Sequence, residues 1–407
     1  MHPVKLKMSS ARYRNDPWSA FGELRDMGSV IRVKFPFFGK CWAATTYESV
    51  EQVFKQTEHF VRDSKNAGRK TIIPMQWMLP RVFNSLIQNM LTADGQRHRR
   101  LRSVVDLAFA RQNIEGMAEQ IERIAIAQVD ECEKAITKDG KLDLIEHFAR
   151  PFPLTVICEL LGLPLEDRSK FKKWFEPFST VQSVFGIFRV GSGMRQVVRY
   201  LREQIEIVRK SPRDGLMSEL VTASHEGERL TNDELLSLTF LLLVAGHETT
   251  VHLLSNTILT LLQHPKAKLE LLNDWQLMDK VTEEVQRYCS PLQAGKPRYV
   301  AHDMEFHGQQ LQQRELIIPL VAAANYDPAR FENPDVFNIH RDRVYHMTFG
   351  SGPHVCLGMK LARSENYFGV KALFERWPDM RPAFDLAQVD WSKRMMTRGM
   401  NSFWVTT

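Results

Sequence analysis

The chain has 407 residues, 43% hydrophobic and 25% charged, with 54 Lys and Arg against 48 Asp and Glu and a net charge of +6. That balance is an ordinary globular one and excludes a disordered or collagen-like chain. No dense Lys/Arg block with interleaved aromatics occurs, which argues against nucleic acid as a partner.

Residues 1–18 are polar and basic without an apolar stretch, so no signal peptide or anchor is expected there. Residues 30–35 and 41–45 flank Phe37-Phe38-Gly39-Lys40 and read as a hairpin, with a short helix next over 47–54. Beyond Leu91 the apolar spacing becomes helical, predicting helices over 95–109, 112–138, 153–161, 168–178 and 194–210. A longer helix opens on Thr231-Asn232-Asp233-Glu234, a capping-box pattern, and nothing interrupts it before His264-Pro265. Some thirty residues at 1.5 Å rise span roughly 45–50 Å, so this helix is expected to be central and buried. Its most apolar run, 235–246, falls well short of the ~20 residues that cross a bilayer. A helix over 278–289 stops at Pro291, and strands are expected at 298–300, 305–306 and 316–321. An irregular stretch rich in Pro, Asp and Asn fills 325–348, a helix runs over 357–377 to Pro378, and short β segments fall near Met396 and Phe403. With no repeat and no linker, one mainly α domain with minor β is expected over 1–407, β-richer at about 28–75 and 298–324.

The cysteines, Cys41, Cys132, Cys158, Cys289 and Cys356, are too scattered for a disulfide framework or a zinc site and suit a reducing, cytoplasmic setting. One of them sits in Phe349-Gly350-Ser351-Gly352-Pro353-His354-Val355-Cys356-Leu357-Gly358. The glycines permit a tight turn and close approach to a flat ligand. A helix starts directly after the sulfur, and helix N-termini favour thiolates. A thiolate on iron pushes electron density toward O–O cleavage. This segment closely resembles the haem-binding loop of the cytochrome P-450 family, with Cys356 as iron ligand, Phe349 packed against the sulfur and His354 near a haem propionate. The remaining motifs fall in the family's order, and the resemblance runs from about Asn15 to the end.

In Ala245-Gly246-His247-Glu248-Thr249-Thr250 a carboxylate and a hydroxyl interrupt an apolar helix, which is costly without a use. The resemblance makes Glu248 and Thr249 the acid–alcohol pair that delivers protons, with Ala245 and Gly246 beside the cofactor. Glu284-Val285-Gln286-Arg287 by itself is an ordinary intrahelical ion pair; its family position makes it a structural clamp with Arg341 for the Cys loop. His98 and Arg102, four apart on one helix face, match the family's propionate pair, as Arg298 matches a third propionate ligand; a solvated basic face is the plain alternative. Asn325-Tyr326-Asp327-Pro328 also matches, whereas 309–314 departs from the usual turn. Arg97, Arg99, Arg100, Lys360 and Arg363 offer a basic docking face for an acidic electron carrier.

The resemblance implies the cytochrome P-450 fold, many helices with small sheets and haem between the long helix and the Cys-loop helix. It implies haem b (iron protoporphyrin IX), dioxygen as co-substrate, and electrons from NAD(P)H through a separate ferredoxin or flavodoxin with its reductase. The pocket would be lined from 72–87, 175–188, 241–245, 292–294 and 395–397, with Ile73, Trp77, Phe178, Phe185, Val244, Leu292 and Met396 as its candidates. Such a lining suits a largely apolar molecule of the fatty acid, terpenoid, steroid or macrolide class, hydroxylated or epoxidised by a monomeric enzyme without a membrane anchor. Peroxide-driven peroxygenases or decarboxylases commonly lack the acid–alcohol pair, so Glu248-Thr249 speaks against that alternative. The hydrophobic loops speak against a non-catalytic haem sensor.

Overall fold

A computed structural model describes residues 3–36, 38–69, 86, 88–112, 114–168, 170–171, 173–174, 184–225 and 228–407. They form two compact units, Met1–Pro74 with Gln120–Phe152 and Glu248–Thr407, and Met75–Glu119 with Pro153–His247. The chain passes between units at 74/75, 119/120, 152/153 and 247/248, so no single linker separates them in the sequence.

The first unit is organised on a six-stranded sheet in the order Val4–Lys5, Val30–Phe35, Gly39–Ala44, Leu316–Pro319, Arg298–Val300, Phe60–Val61. The expected hairpin forms its centre, with Val30 paired to Ala44 and Phe35 to Gly39. Side chains alternate between the two faces, and both faces are buried. Ile31, Val33, Phe35, Cys41 and Ala43 join one apolar cluster with Tyr13, Phe21 and Leu24. Val30, Trp42 and Ala44 join the other with Val50, Val53 and Phe54 of helix Tyr47–Lys55. Thr46 and Ser49 close a capping box at the start of that helix, and Asp327 accepts from the Tyr47 N–H at 2.7 Å.

Three expectations shift in detail. The strand expected over 316–321 ends at Pro319, and Val321–Asn325 turns into a short buried helix. The segment 309–314, which departs from the usual family turn, still gives a strand Gln309–Leu311 paired with Met304–Phe306. His307 and Gly308, both at positive φ, make the two-residue turn. Near Met396 only isolated bridges form, Leu292 to Thr397 and Trp391 to Met400, and the last strand is Trp404–Thr406.

In the second unit, helix Leu216–Thr222 packs against helices Gly95–Arg111 and Val184–Lys210. Residues 112–138 do not form one helix: a 3-10 turn at Ile114–Met117 precedes Ala118–Ala135. The helix expected over 168–178 lies partly outside the described residues.

The long helix is Asn232–Gln263. Its capping box forms as the sequence predicts: the Thr231 N–H donates to Glu234 at 3.0 Å and the Glu234 N–H to Thr231 Oγ1 at 3.2 Å. Taken whole, its 32 residues have the length and hydropathy of a membrane span, and half of the most apolar stretch is buried in the structure. Its second half also buries Ser255, Asn256, Thr257 and Thr260, with Asn256 donating to Cys289 O and Arg398 O at 2.9 and 3.1 Å.

Candidate functional site

The Cys loop is shaped by two glycines at φ +74 and +71, Gly350 and Gly352. A Cβ on Gly352 would stand 2.8 Å from the Phe54 carbonyl oxygen, so only glycine lets the loop lie this close to helix Tyr47–Lys55. The Gly350 N–H donates to Met347 O, and the Cys356 N–H to Phe349 O, both at 2.9 Å. Cys356 therefore arrives just before the 18-residue helix Met359–Arg376, whose N-cap is Gly358. It is half-buried, whereas the other four cysteines are buried. Burial pushes the thiols of Cys41, Cys132 and Cys158 up to about 12 and raises that of Cys289. Burial thus disfavours the thiolate form of those four, and Cys356 is the cysteine left partly open.

Phe349 is flanked by a cation and a second ring. The Arg363 guanidinium lies 5.1 Å over its ring, and the His346 ring is 5.5 Å away. Arg363 donates to both Glu283 oxygens at 2.7 and 3.0 Å. His346 Nε2 lies 3.3 Å from Glu283, and the Thr348 N–H donates to its Nδ1. Burial alone would raise the Glu283 pKa, but hydrogen bonds to His346 and Arg363 overcome it and hold the carboxyl at about 2. Of the expected docking cations, Arg363 is thus committed to Glu283, and Arg100 is ion-paired with Glu234.

Helix Met278–Tyr288 holds the loop from behind. Glu284 and Arg287 are fully buried and joined by two bonds of 2.8 Å. Arg341 Nε reaches the same carboxylate at 3.2 and 3.3 Å, and the Asn338 N–H adds a bond at 3.0 Å. Arg287 also donates to the carbonyls of Asn325, Pro334 and Val336. Asn325 passes the restraint on, accepting from the Met347 N–H at 2.7 Å and donating to Thr348 Oγ1 at 3.0 Å. Thr348 donates to Gln286 O at 2.7 Å, one residue before Phe349.

Arg298, on an inner strand, is fully buried; it donates to Phe60 O at 3.5 Å and sits 5.6 Å over the Phe54 ring. Phe54 thus touches the Cys loop through its backbone and Arg298 through its ring. His354 is half-buried in the 3-10 turn Gly352–His354. The segments of Leu292 and Met396 run side by side: Thr397 bridges Leu292 and the Gln293 N–H donates to Met396 O at 2.9 Å.

Glu248 and Thr249 are half-buried on the long helix, and Glu248 is ion-paired with Arg394. One residue on, the Thr250 hydroxyl donates to Glu365 at 3.4 Å. Glu365 is buried on helix Met359–Arg376, and burial raises its pKa well above the usual carboxylate value. The two helices approach closely because Gly369 has no side chain: a Cβ there would stand 2.8 Å from Leu254 and 2.9 Å from Phe152. Sequence reasoning missed Glu365, Arg394 and the Glu283–His346 pair. Glu365 carries a signal, a carboxylate among apolar helix positions; the others carry none.

His98 and Arg102 lie on helix Gly95–Arg111 of the second unit. His98 is buried, and Arg102 Nε donates to both Asp106 oxygens at 2.9 and 3.1 Å. Ala245 is exposed and Val244 half-buried; a Cβ on Gly246 would stand 3.3 Å from Ile157. Ile73, Trp77 and Phe178, and the side chain of Phe185, lie outside the described residues.

With this loop, clamp and long helix in place, the chain belongs to the cytochrome P-450 family, whose profile matches residues 1–377. Its class is therefore that of haem-dependent monooxygenases. The chain is 35% identical to the polyketide biosynthesis cytochrome P-450 PksS of Bacillus subtilis (strain 168) over 99% of this chain and 98% of that protein. The PksS structure superposes with a TM-score of 0.88 over 100% of this chain and 99% of PksS. The chain is 33% identical to the cytochrome P-450 monooxygenase PikC of Streptomyces venezuelae, over 95% and 90% of the two chains. Cytochrome P-450 BioI, solved with acyl carrier protein ligated to hexadec-9Z-enoic acid, matches with a TM-score of 0.87 at 30% identity over 98% and 100%.

Proposed function

We propose that this monooxygenase inserts one oxygen atom of dioxygen into a largely apolar acyl- or polyketide-type molecule, with Cys356 as the residue that would hold the iron of haem b. One observation carries the reading: Cys356 is the one half-buried cysteine, set between a glycine-shaped loop and a helix N-terminus, while the other four are buried. The residues present suit a haem by their donor set, a thiol at a positive helix end together with the fully buried cation of Arg298 for an anionic propionate. His354 is the second propionate candidate in this unit. When bound, the haem supplies dioxygen activation, which thiolate ligation favours.

The chain's own part is to hold the sulfur and to move protons. Phe349, pinned by Arg363 and His346, walls the sulfur, and the Glu284–Arg287–Arg341 clamp fixes the segment that carries it. Glu248 is exposed enough to exchange protons with water, and the Thr249 hydroxyl beside it relays them inward. Glu365, whose pKa burial raises, accepts a hydrogen bond from the Thr250 hydroxyl and ties the second helix to this stretch.

Leu292, Ala294, Met395 and Met396 favour an apolar substrate. The polyketide relative and the relative bound to an acylated carrier protein support an extended acyl or polyketide chain, free or carrier-linked. Two electrons come from a separate ferredoxin or flavodoxin and its reductase in the cytoplasm. The test is optical. Purified protein, reduced and exposed to carbon monoxide, gives the thiolate signature, and Cys356→Ser loses it; a surviving signature assigns the ligand elsewhere. Titration of the ferric protein with fatty acids, macrolactones and acyl-carrier-protein thioesters shifts the Soret band for the preferred class. A response confined to terpenoids or steroids rejects the acyl assignment.

A further inference from the structure

Residues 391–400 form a loop closed on itself. Trp391 pairs with Met400, and the Ser392 N–H donates to Gly399 O at 2.8 Å. Its return limb is fastened to the segment after the clamp helix: the Arg398 N–H donates to Pro291 O at 2.9 Å, Thr397 bridges Leu292, and Met396 O accepts from Gln293. Arg394, at the turn of this loop, reaches the long helix and forms an ion pair with Glu248. Burial and the neighbouring Arg150 charge pull the Arg394 pKa below its ordinary value, so a charged guanidinium there needs a counter-charge. Arg150 is held by Glu146 at 3.1 Å, and Glu248 serves Arg394.

We propose that Arg394 is a positioning residue for Glu248: the ion pair sets the carboxylate's orientation beside Thr249 and couples it to the loop that carries Met395 and Met396. An unpaired Glu samples many rotamers, and a carboxylate gripped by a guanidinium samples few. The grip comes from a loop whose adjoining residues are pocket candidates. A substrate that displaces Met396 therefore displaces Arg394 and, through it, Glu248. Proton delivery is in this way made responsive to pocket occupancy without direct contact between substrate and acid. The inference rests on the reading of Glu248 as the proton-delivering acid.

The experiment compares the haem-loaded parent with Glu248→Gln, Arg394→Gln, Arg394→Lys and the double variant Glu248→Gln/Arg394→Gln. The substrate is the apolar compound with the largest Soret shift in the titration above. Three quantities are measured: the fraction of reducing equivalents recovered in product, the solvent deuterium isotope effect on turnover, and the urea midpoint. In Glu248→Gln the recovered fraction falls several-fold and the isotope effect rises. Arg394→Gln does the same with an unchanged thiolate spectrum, Arg394→Lys recovers most of the loss, and the double variant is no worse than Glu248→Gln. If Glu248→Gln shows the defect and Arg394→Gln matches the parent in recovery and isotope effect, the pair is structural only and the inference fails, whatever the urea midpoint. If Glu248→Gln itself matches the parent, the acid reading fails and the inference with it. Additive defects in the double variant also overturn it, since a positioning residue acts only through its target.

Discussion

Glu283 shows how a single side chain ties loop, helix and pH together. Its carboxyl is held at about 2, against 4.5 for an unperturbed Glu, because Arg363 and His346 outweigh the cost of burial. A depressed folded-state pKa contributes stability that is fully present above about pH 4.5 and lost as the pH falls toward 2. Allowing for partial exposure, the contribution is on the order of 1–2 kcal/mol. Urea midpoints measured between about pH 5 and pH 3 should therefore drop more steeply in the parent than in Glu283→Gln. Parallel slopes would mean that the pair does not form in solution. The same interaction explains why Arg363, which looks like a free surface cation in the sequence, is spoken for. Nothing local in Glu283-Glu284 says that one carboxylate turns to Arg363 and the other to Arg287, because helical neighbours point about 100° apart and their partners lie on different elements.

At the scale of elements, helix Met278–Tyr288 works as a brace. Removing the charge of Glu284 leaves Arg287 buried without a counter-charge, and breaking such a pair costs about 3–5 kcal/mol. Glu284→Gln should lower the urea midpoint accordingly and release haem more readily, read as loss of the Soret band during gel filtration; an unchanged midpoint would contradict the fully buried geometry. The long helix makes a smaller, cleaner case. Thr231 satisfies the Glu234 N–H, and Glu234 returns a bond while also pairing with Arg100. Thr231→Ala should cost about 1 kcal/mol, since it removes one cap bond and leaves the rest in place. The cap was legible because its partners are three residues apart. The approach of this helix to Met359–Arg376, which brings Thr250 to Glu365, was not. It depends on Gly369 meeting Leu254 across 115 residues, and a glycine in a helix says only that something may come near.

For the whole molecule, the interleaving of two units has a folding consequence. Helix Leu216–Thr222 packs on Gly95–Arg111, more than 100 residues earlier, so the second unit is complete only when both segments are present. An isolated 153–247 fragment should show no cooperative urea transition, while the full chain does; a sharp transition in the fragment would assign it an independent core. The sequence by itself determined what depends on short-range spacing: the mainly α elements, the hairpin over 30–45, the helix caps, and Cys356 in its glycine loop, because turns, caps and a ligand loop are written in contiguous residues. It also supplied the members of the Glu284–Arg287 pair, though helix spacing alone predicts an ordinary surface pair. Only the tertiary structure decided that this pair is fully buried with Arg341, that Arg363 serves Glu283, and that Glu248 answers to Arg394 across some 146 positions. Such partnerships are set by which faces the core brings together, and the cost of burying a charge is known only once its surroundings are built. Cys356 is the exception that spans both, legible as a motif and singled out again by burial, since the fold buries the other four cysteines and leaves this one half open.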